Sequence, residues 1–401
     1  MRNDSIVFEE LPIARKPLQI AVVTETYLPE INGVAMTLGH FVAGLHRRAH
    51  EVQLVRPRQD SADRPNNRER FHEVLKRGIP IPPYPSLKMG LPAKRALARL
   101  WSVKRPDLVH IVTEGPLGWS ALQAALKLKL PVCSDFHTNF HAYSRHYGMG
   151  WLKQYIAAYL RNFHNRTQCT MVPTDAMRDE LSDLGYRNLK VVARGVDTQL
   201  FAPARRSETL RESWGAAGGA PVVLYVGRLA PEKNLPAVAA AFDAMRSRAP
   251  NAKLVLVGDG PERSGLRARY PDAVFAGMRV GEDLATHFAS GDLFLFPSLT
   301  ETYGNVTVEA MASGLAVVAY DYAAAAEHIQ HGRNGVLADY DNFSEFVHFA
   351  ADLVIDRTRI RDIATRARCT AEALDWDRVV LDLESVFMSV AHAGALERDA
   401  A

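Results

Sequence analysis

Short apolar runs alternate with longer amphipathic stretches from residue 19 to residue 339, the pattern of parallel strands joined by helices. In the first half the strand candidates are "QIAVVTET" (19–26), "EVQLVRPR" (51–58), "DLVHIVT" (107–113), "PVCSDFHT" (131–138), "CTMVPT" (169–174) and "LKVVARG" (189–195). In the second they are "PVVLYVGR" (221–228), "AKLVLVGDG" (252–260), "AVFAGM" (273–278), "DLFLFPS" (292–298), "LAVVAYD" (315–321) and "GVLAD" (335–339). Each half can therefore build its own doubly wound α/β sheet. Between them, "RRSETLRESWGAAGGAP" (205–221) mixes charges with a glycine and alanine cluster before a strand restarts. The expected organisation is a first domain over 1–204, a linker over 205–220, a second domain over 221–375 and a closing helix and tail over 376–401. The polar stretch "RQDSADRPNNRER" (58–70) reads as a mobile loop.

Composition narrows the class. With 401 residues, 47% hydrophobic and 23% charged, the chain is globular and long enough for two cores. Cys133, Cys169 and Cys369 are odd in number and widely spaced, which suggests neither a disulfide framework nor a zinc cage and fits a reducing compartment. No uninterrupted apolar run is long enough to span a bilayer, and "MRNDSIVFEELPIARK" lacks the apolar core of a signal segment, so a soluble or peripheral protein is expected. The net charge of +3 is unevenly divided: residues 1–200 carry 28 Lys+Arg against 18 Asp+Glu, and residues 201–401 carry 20 against 27. A basic first half suits an anionic partner, a membrane or a nucleic acid, or is simply a solvated surface.

The candidate chemistry gathers in the second half. "SLTETYGN" follows a buried strand, where open α/β sheets bind ligands. Asn305 is a plausible N-cap, so the N–H groups of Val306, Thr307 and Val308 would open a helix and offer an anion site. Glu301 and Glu309 bracket that turn and could flank a ligand; the alternative is that Glu309 complements the helix dipole and Glu301 is a solvated loop acid. "VGRLAPEKN" (226–234) adds Arg228 and Lys233 on another loop after a strand, two cations that suit a pyrophosphate if they are not plain surface charges. No Walker-type loop and no Gly-x-Gly-x-x-Gly turn is present, which argues against a P-loop kinase or a nicotinamide dehydrogenase.

"VGRLAPEKN", "VGDGPE" (257–262), "SLTETYGNVTVEAMASG" (298–314) and "HGRNGVL" (331–337), in this order, resemble the C-terminal half of the family 4 retaining glycosyltransferases. "TETYLPEINGVAMTL" (24–38), "DFHTNFHAYSRHY" (135–147) and "ARGVDTQLF" (193–201) resemble the lipid-glycosylating branch of that family, which includes GDP-mannose-dependent mannosyltransferases and sulfoquinovosyl-diacylglycerol synthases. The resemblance implies the GT-B fold: two Rossmann-like domains facing across a cleft, with a C-terminal helix crossing back to the first. It implies transfer of a hexose from a nucleotide-diphosphate sugar, GDP-mannose or a UDP-hexose, to a lipid hydroxyl at the cytoplasmic membrane face, without a metal or other cofactor.

Position by position, the resemblance places His137, Glu301, Arg228 and Lys233 in catalysis. Glu301 would hold sugar hydroxyls, helped by backbone around Tyr303, Gly304, Asn305 and Val306; Glu309 would accept from the ribose; Arg228 and Lys233 would neutralise the leaving diphosphate. His137 would stand beside the donor sugar and Gly33 on the first strand-to-helix turn. Arg194 would face the cleft, and the base would lie near Arg279 and Val280. One departure is "AYDYAAAAEHI" (319–329), where relatives have Gly-Gly, which puts donor contacts at Ala323 to Ala326 in question.

Metal readings are weak. Asp339 with Asp341, and Asp375 with Asp377, match Asp-x-Asp but sit where aspartates end strands and cap helices. His137, His141 and His146 lack the helical spacing and the glutamate of a His-Glu-x-x-His site. On the acceptor side, "SLKMGLPAKRALARLWSVKRP" (86–106) holds six Lys+Arg and no acid, with Leu97, Leu100, Trp101 and Lys104 at helical spacing. A second acid-free segment, 148–166, sets Trp151, Tyr155, Tyr159 and Phe163 four residues apart. Either apolar face could lie on anionic lipid or pack into the core. A lipid acceptor is the preferred expectation and nucleic acid is not expected; a soluble or polysaccharide acceptor, a nucleotide-sugar epimerase and a non-catalytic sugar-nucleotide-binding partner are the alternatives.

Overall fold

A computed structural model of the chain describes residues 16–30, 32–81, 84–137 and 153–399. His141, His146 and Trp151 lie outside the described residues. The first lobe opens with β1 (Gln19–Val23), α1 (Gly33–Arg47), β2 (Glu51–Pro57), β3 (Asn67–Arg68), β4 (Phe71–Lys76), β5 (Gly78–Ile81) and β6 (Tyr84–Gly90). It continues with α2 (Lys94–Val103), β7 (Leu108–Ile111), α3 (Pro116–Lys127), β8 (Val132–Asp135), α4 (Lys153–His164), β9 (Cys169–Val172), α5 (Asp175–Asp183) and β10 (Leu189–Val191). Among the described residues its main sheet runs β10-β9-β8-β7-β1-β2-β4-β3, parallel but for the β3–β4 pair, and β5 pairs with β6 as a separate ribbon.

Residues two apart on each strand feed the same core, and adjacent residues feed opposite ones. Ile20, Val22, Val52 and Leu54 pack with Leu38, Phe41 and Val42 of α1, whereas Ala21, Val23 and Val55 pack with Leu97 and Trp101 of α2 and Leu117 of α3. The second lobe contains α6 (Glu208–Ser213) at its entry, then β11 (Val222–Val226), α7 (Leu235–Arg248), β12 (Lys253–Val257), α8 (Arg263–Arg269), β13 (Val274–Gly277), α9 (Gly281–Ala289) and β14 (Leu293–Phe296). There follow α10 (Asn305–Ala312), β15 (Ala316–Tyr320), α11 (Ala323–His328), β16 (Val336–Ala338), α12 (Phe343–Leu353) and α13 (Arg357–Glu372). Its sheet is parallel in the order β13-β12-β11-β14-β15-β16, with the order reversing between β11 and β14.

The closing helix α14 (Trp376–Asp399) leaves the second lobe and packs on the first, as the resemblance implied. Trp376 stacks on His40 with ring centroids 4.4 Å apart and meets Phe41 edge-on, while Val379, Leu383 and Phe387 join the α1 core. Glu384, buried in that interface, takes Arg48 Nη2 at 2.6 Å and His50 Nε2 at 3.0 Å. By length and composition a window within 357–396 is apolar enough to cross a membrane, but one face of α14 is first-lobe core.

All twelve strand expectations contain a strand; β3 to β6 were missed. In "FHEVLK" the inward position after Phe71 is Glu73, whose charge hides the alternation and is answered by Arg56 Nη2 at 3.2 Å. The 58–70 stretch is mostly loop, as expected, and is tied by its own hydrogen bonds. Asp60 Oδ1 accepts from the N–H groups of Ala62 and Asp63, Asp63 Oδ2 accepts from that of Gln59, and Arg56 binds Asp63 through both terminal nitrogens.

Candidate active site

The carboxyl ends of both parallel sheets supply the loops that meet between the lobes. In the second lobe the crevice at the β11–β14 reversal is flanked by Gly227–Asn234 on one side and Pro297–Gly304 on the other. Lys233 bridges it with an ion pair to Glu301, the two side chains being 14% and 15% exposed. Ser298 Oγ donates to the same Glu301 oxygen at 2.6 Å, and Tyr322 OH donates to the Glu301 carbonyl at 2.8 Å. Burial alone would raise the Glu301 carboxyl, but Lys233, Ser298 and Arg228 outweigh it and hold it below the ordinary carboxylate range. Arg228, four residues before the fully buried Glu232, is ion-paired with it. Glu232 was missed, although its i,i+4 spacing from Arg228 was legible.

Backbone approach explains the glycines. Gly258, at φ 131°, sits so close to the β11 loop that a β-carbon would lie 2.0 Å from the Gly227 carbonyl oxygen. Gly304, at φ 88°, caps α10, which begins at Asn305. Asn305 is thus the first helical residue and not the cap, because the left-handed turn that precedes it suits glycine. No side chain caps α10, but of the N–H groups expected to meet an anion that of Thr307 already donates to the Gly304 carbonyl at 3.0 Å. Glu309, one turn further, has no hydrogen-bond partner for its carboxylate among the described residues, and burial pushes it up to about 7.

Arg279 turns to its own chain, donating to the Ala276 carbonyl at 2.9 Å and to Asp283 at 3.0 Å. Val280 beside it is 49% exposed and Met278 is exposed as well, a small apolar face at the end of β13. At the Ala323–Ala326 departure, Ala324 and Ala325 are buried, and the Ala324 N–H donates to the Tyr303 carbonyl at 2.8 Å. Ala323 adopts φ 53°, a left-handed conformation that glycine would take without strain.

The first lobe brings His137 to the same cleft. Its Nε2 lies 3.0 Å from Asp135 Oδ2, its Nδ1 is 3.4 Å from Arg194 Nη2, and its carbonyl accepts from Thr302 Oγ1 at 2.6 Å. With Nε2–H donated to Asp135 and Nδ1 facing an N–H donor, the ring is a neutral imidazole of one tautomer. Burial depresses its basicity further than Asp135 restores it. The Asp135 carboxyl, which burial alone would raise, is held far below its ordinary value by His110 at 3.1 Å and by His137. Arg194 is 3% exposed and its guanidinium lies 5.3 Å over the Phe41 ring beside His137. Its carbonyl accepts from Tyr303 OH at 3.3 Å, and that hydroxyl also meets His328 Nε2 at 2.8 Å. Gly33 begins α1, capped by Asn32, and a β-carbon there would stand 3.7 Å from the Asn305 amide. Asp135, Thr302 and His328 lie within the stretches singled out in the sequence but were not themselves singled out.

Among the described residues no cluster of three metal-ligating side chains occurs. Asp375 accepts from the Asp377 N–H at 3.0 Å at the start of α14, a capping contact. The amphipathic face of α2 is core: Leu97 and Trp101 are fully buried and Trp101 Nε1 donates to Gln53 at 2.9 Å, leaving Lys94, Arg95 and Arg99 exposed. In α4 the stripe turns from buried Phe163 through Tyr159 to the exposed Tyr155.

Comparison with known proteins agrees with this architecture. The model of Glycosyltransferase Family 4 matches residues 31–200, and that of Glycosyl transferases group 1 matches residues 220–356. The chain is 32% identical to a GDP-mannose-dependent alpha-mannosyltransferase of Corynebacterium glutamicum, over 92% of this chain and 88% of that one. It is 28% identical to the alpha-monoglucosyldiacylglycerol synthase of Streptococcus pneumoniae, over 76% and 71% of the two chains. In three dimensions it is similar to sucrose-phosphate synthase from Thermosynechococcus elongatus, with a TM-score of 0.78, 17% identity and coverage of 94% and 100%. Two facing parallel α/β lobes with a returning helix, and full-length sequence kinship of this strength, have one reading: the chain belongs to glycosyltransferase family 4 and is a glycosyltransferase of GT-B fold.

Proposed function

We propose that the protein is a metal-independent, retaining hexosyltransferase that moves mannose from GDP-mannose to a hydroxyl of a lipid acceptor at the cytoplasmic face of a membrane. The observation that carries the reading is the Lys233–Glu301 pair spanning the β11–β14 crevice beside the uncapped start of α10. A cation and a helix N-terminus there suit the diphosphate, and the adjoining carboxylate suits sugar hydroxyls. Arg228, oriented by buried Glu232, adds the second cation, and Glu309 accepts from the ribose. As the bond from the anomeric carbon to the phosphate oxygen breaks, negative charge grows where these donors point. The acceptor oxygen bonds to the same face of that carbon, and its proton passes to the leaving phosphate. His137, neutral and braced by Asp135, holds the wall beside the sugar. Removing one such donor costs roughly 3 kcal/mol of barrier, about a hundredfold in rate.

GDP-mannose is favoured over a UDP-hexose by the mannosyltransferase relative, and a lipid acceptor by the diacylglycerol-named relative and by the exposed Lys94, Arg95 and Arg99. The test incubates the purified chain with GDP-mannose, UDP-glucose, UDP-galactose or UDP-glucuronate, vesicles and a chelator. Mannose in the lipid extract is the expected result. No hydrolysis or transfer from any donor overturns the reading, and loss of turnover in chelator overturns its metal independence.

A further inference from the structure

A cavity of about 380 Å³ opens in the first lobe between the Tyr27–Pro29 loop and the turn that carries Arg64 and Arg68. That volume suits a small headgroup. Its floor is closed: Arg56, 4% exposed, spends its donors on Asp63, Glu73 and the Pro57 carbonyl. Glu73 also accepts from the Asn66 N–H at 2.8 Å, so the carboxylates at the floor are already occupied. The rim differs. Arg68 lies 4.9 Å over the Phe71 ring and has no hydrogen bond or ion pair to protein among the described residues. Arg64 spends one terminal nitrogen on the carbonyls of Ser61 and Asp63, leaving the rest of its fork. The Tyr27 hydroxyl has no partner among the described residues, and burial together with Glu73 raises its pKa, keeping it a donor.

Unspent donors above spent acceptors select a ligand rich in acceptor oxygens, and two guanidinium forks suit phosphate geometry. Gly33, four residues beyond Pro29, lies against the second lobe, where a β-carbon on it would stand 3.7 Å from the Asn305 amide, and Glu30 next to the Tyr27–Pro29 loop is bonded by Thr26 and Gln59. We propose that this cavity is a subsite for a phosphate group on the acceptor, held by Arg64, Arg68 and the Tyr27 hydroxyl. The proposal rests on the reading that the acceptor enters along the first lobe, and it narrows the acceptor to a phosphate-bearing molecule, either a phospholipid headgroup or a soluble phosphate ester.

The experiment measures binding of glycerol 1-phosphate by calorimetry and of phosphatidylglycerol against phosphatidylcholine vesicles by co-sedimentation. It uses the full chain, R64Q, R68Q, R68K and Y27F, with the thermal shift given by GDP as a control. Binding of at least one phosphate probe is expected, weakened tenfold or more in R64Q and R68Q, about threefold in Y27F and partly restored in R68K. The GDP shift should be unchanged throughout. Binding of glycerol 1-phosphate identifies a soluble ester as sufficient, whereas binding only to phosphatidylglycerol vesicles assigns the subsite to a lipid headgroup. No binding of either probe, or equal binding by R64Q, R68Q and the parent chain, overturns the proposal. Failure of GDP to shift the parent chain counts against the donor reading instead.

Discussion

Thr302 Oγ1 donates to the His137 carbonyl at 2.6 Å, joining the loop after β14 in the second lobe to the end of β8 in the first. The bond links the loop that carries Glu301, one residue away and proposed to hold sugar hydroxyls, to the histidine of the opposite lobe. In Thr302→Val the shape is kept and the donor is lost. A net hydrogen bond contributes about 1 kcal/mol, so kcat/KM should fall about fivefold with little change in the melting temperature. An unchanged kcat/KM would mean that lobe closure does not depend on this contact.

Asp135→Asn removes the carboxylate shared by His110 and His137 and leaves Arg194 buried without that charge nearby. Breaking such a buried arrangement costs roughly 3–5 kcal/mol, measurable by denaturant unfolding. Because the folded-state pKa of Asp135 is depressed, its contribution is present above the ordinary carboxyl range and is lost only as pH falls through the lower folded value. The parent and the variant should therefore converge in stability only under strongly acidic conditions.

Glu309 has the opposite sign. Its folded pKa near 7 lies above the unfolded value of 4.5, so the folded chain holds the extra proton and loses stability as pH rises between those values. Glu309→Gln should stabilise the protein by roughly 2–3 kcal/mol at pH 8 and hardly at all at pH 4. If ribose hydroxyls donate to the ionised carboxylate, GDP binding by the parent should also weaken below pH 7, and the variant should lose that dependence. A pH-independent difference in melting temperature would contradict the burial argument.

Ala323 sits at φ 53°, where an L-residue loses about 1–2 kcal/mol. Ala323→Gly relieves that strain and gives back part of it through the freer unfolded chain. The expected net gain is about 0.5–1 kcal/mol in thermal unfolding. Ala324→Gly, inside the helix and buried, should destabilise by a similar amount. The two neighbours should thus move in opposite directions.

Trp101→Ala empties a fully buried site and strands Gln53, so a loss of about 3–5 kcal/mol in stability is expected. Replacing Lys94, Arg95 and Arg99 together with Gln should leave the melting temperature nearly unchanged and weaken flotation with anionic vesicles. Equal flotation by parent and variant would place any membrane contact elsewhere.

Twelve strands were legible because each is a short apolar run bounded by turn residues, whereas β4 was hidden by the inward Glu73. The Glu301, Glu309, Arg228 and Lys233 set stood in recognisable motifs. Asp135 and Thr302 lie in such motifs too, but their roles were not legible, since a buried carboxylate beside two histidines and a hydroxyl facing a carbonyl 165 residues away leave no local pattern. The basic helix α2 was ambiguous for a related reason: an amphipathic period says that one face is covered, not by what.

By itself, the order of apolar runs and loops determined two doubly wound lobes and set the charged residues of the proposed anion site on the loops after β11 and β14, because both depend on spacing along one strand-to-helix turn. Only the tertiary structure decided the partners. Arg194 packs against His137 and Phe41, Trp101 packs inward, and the polar 58–70 stretch lines a cavity. Each of those outcomes is set by which distant surface removes the side chain from water, and the one-dimensional pattern does not encode that surface.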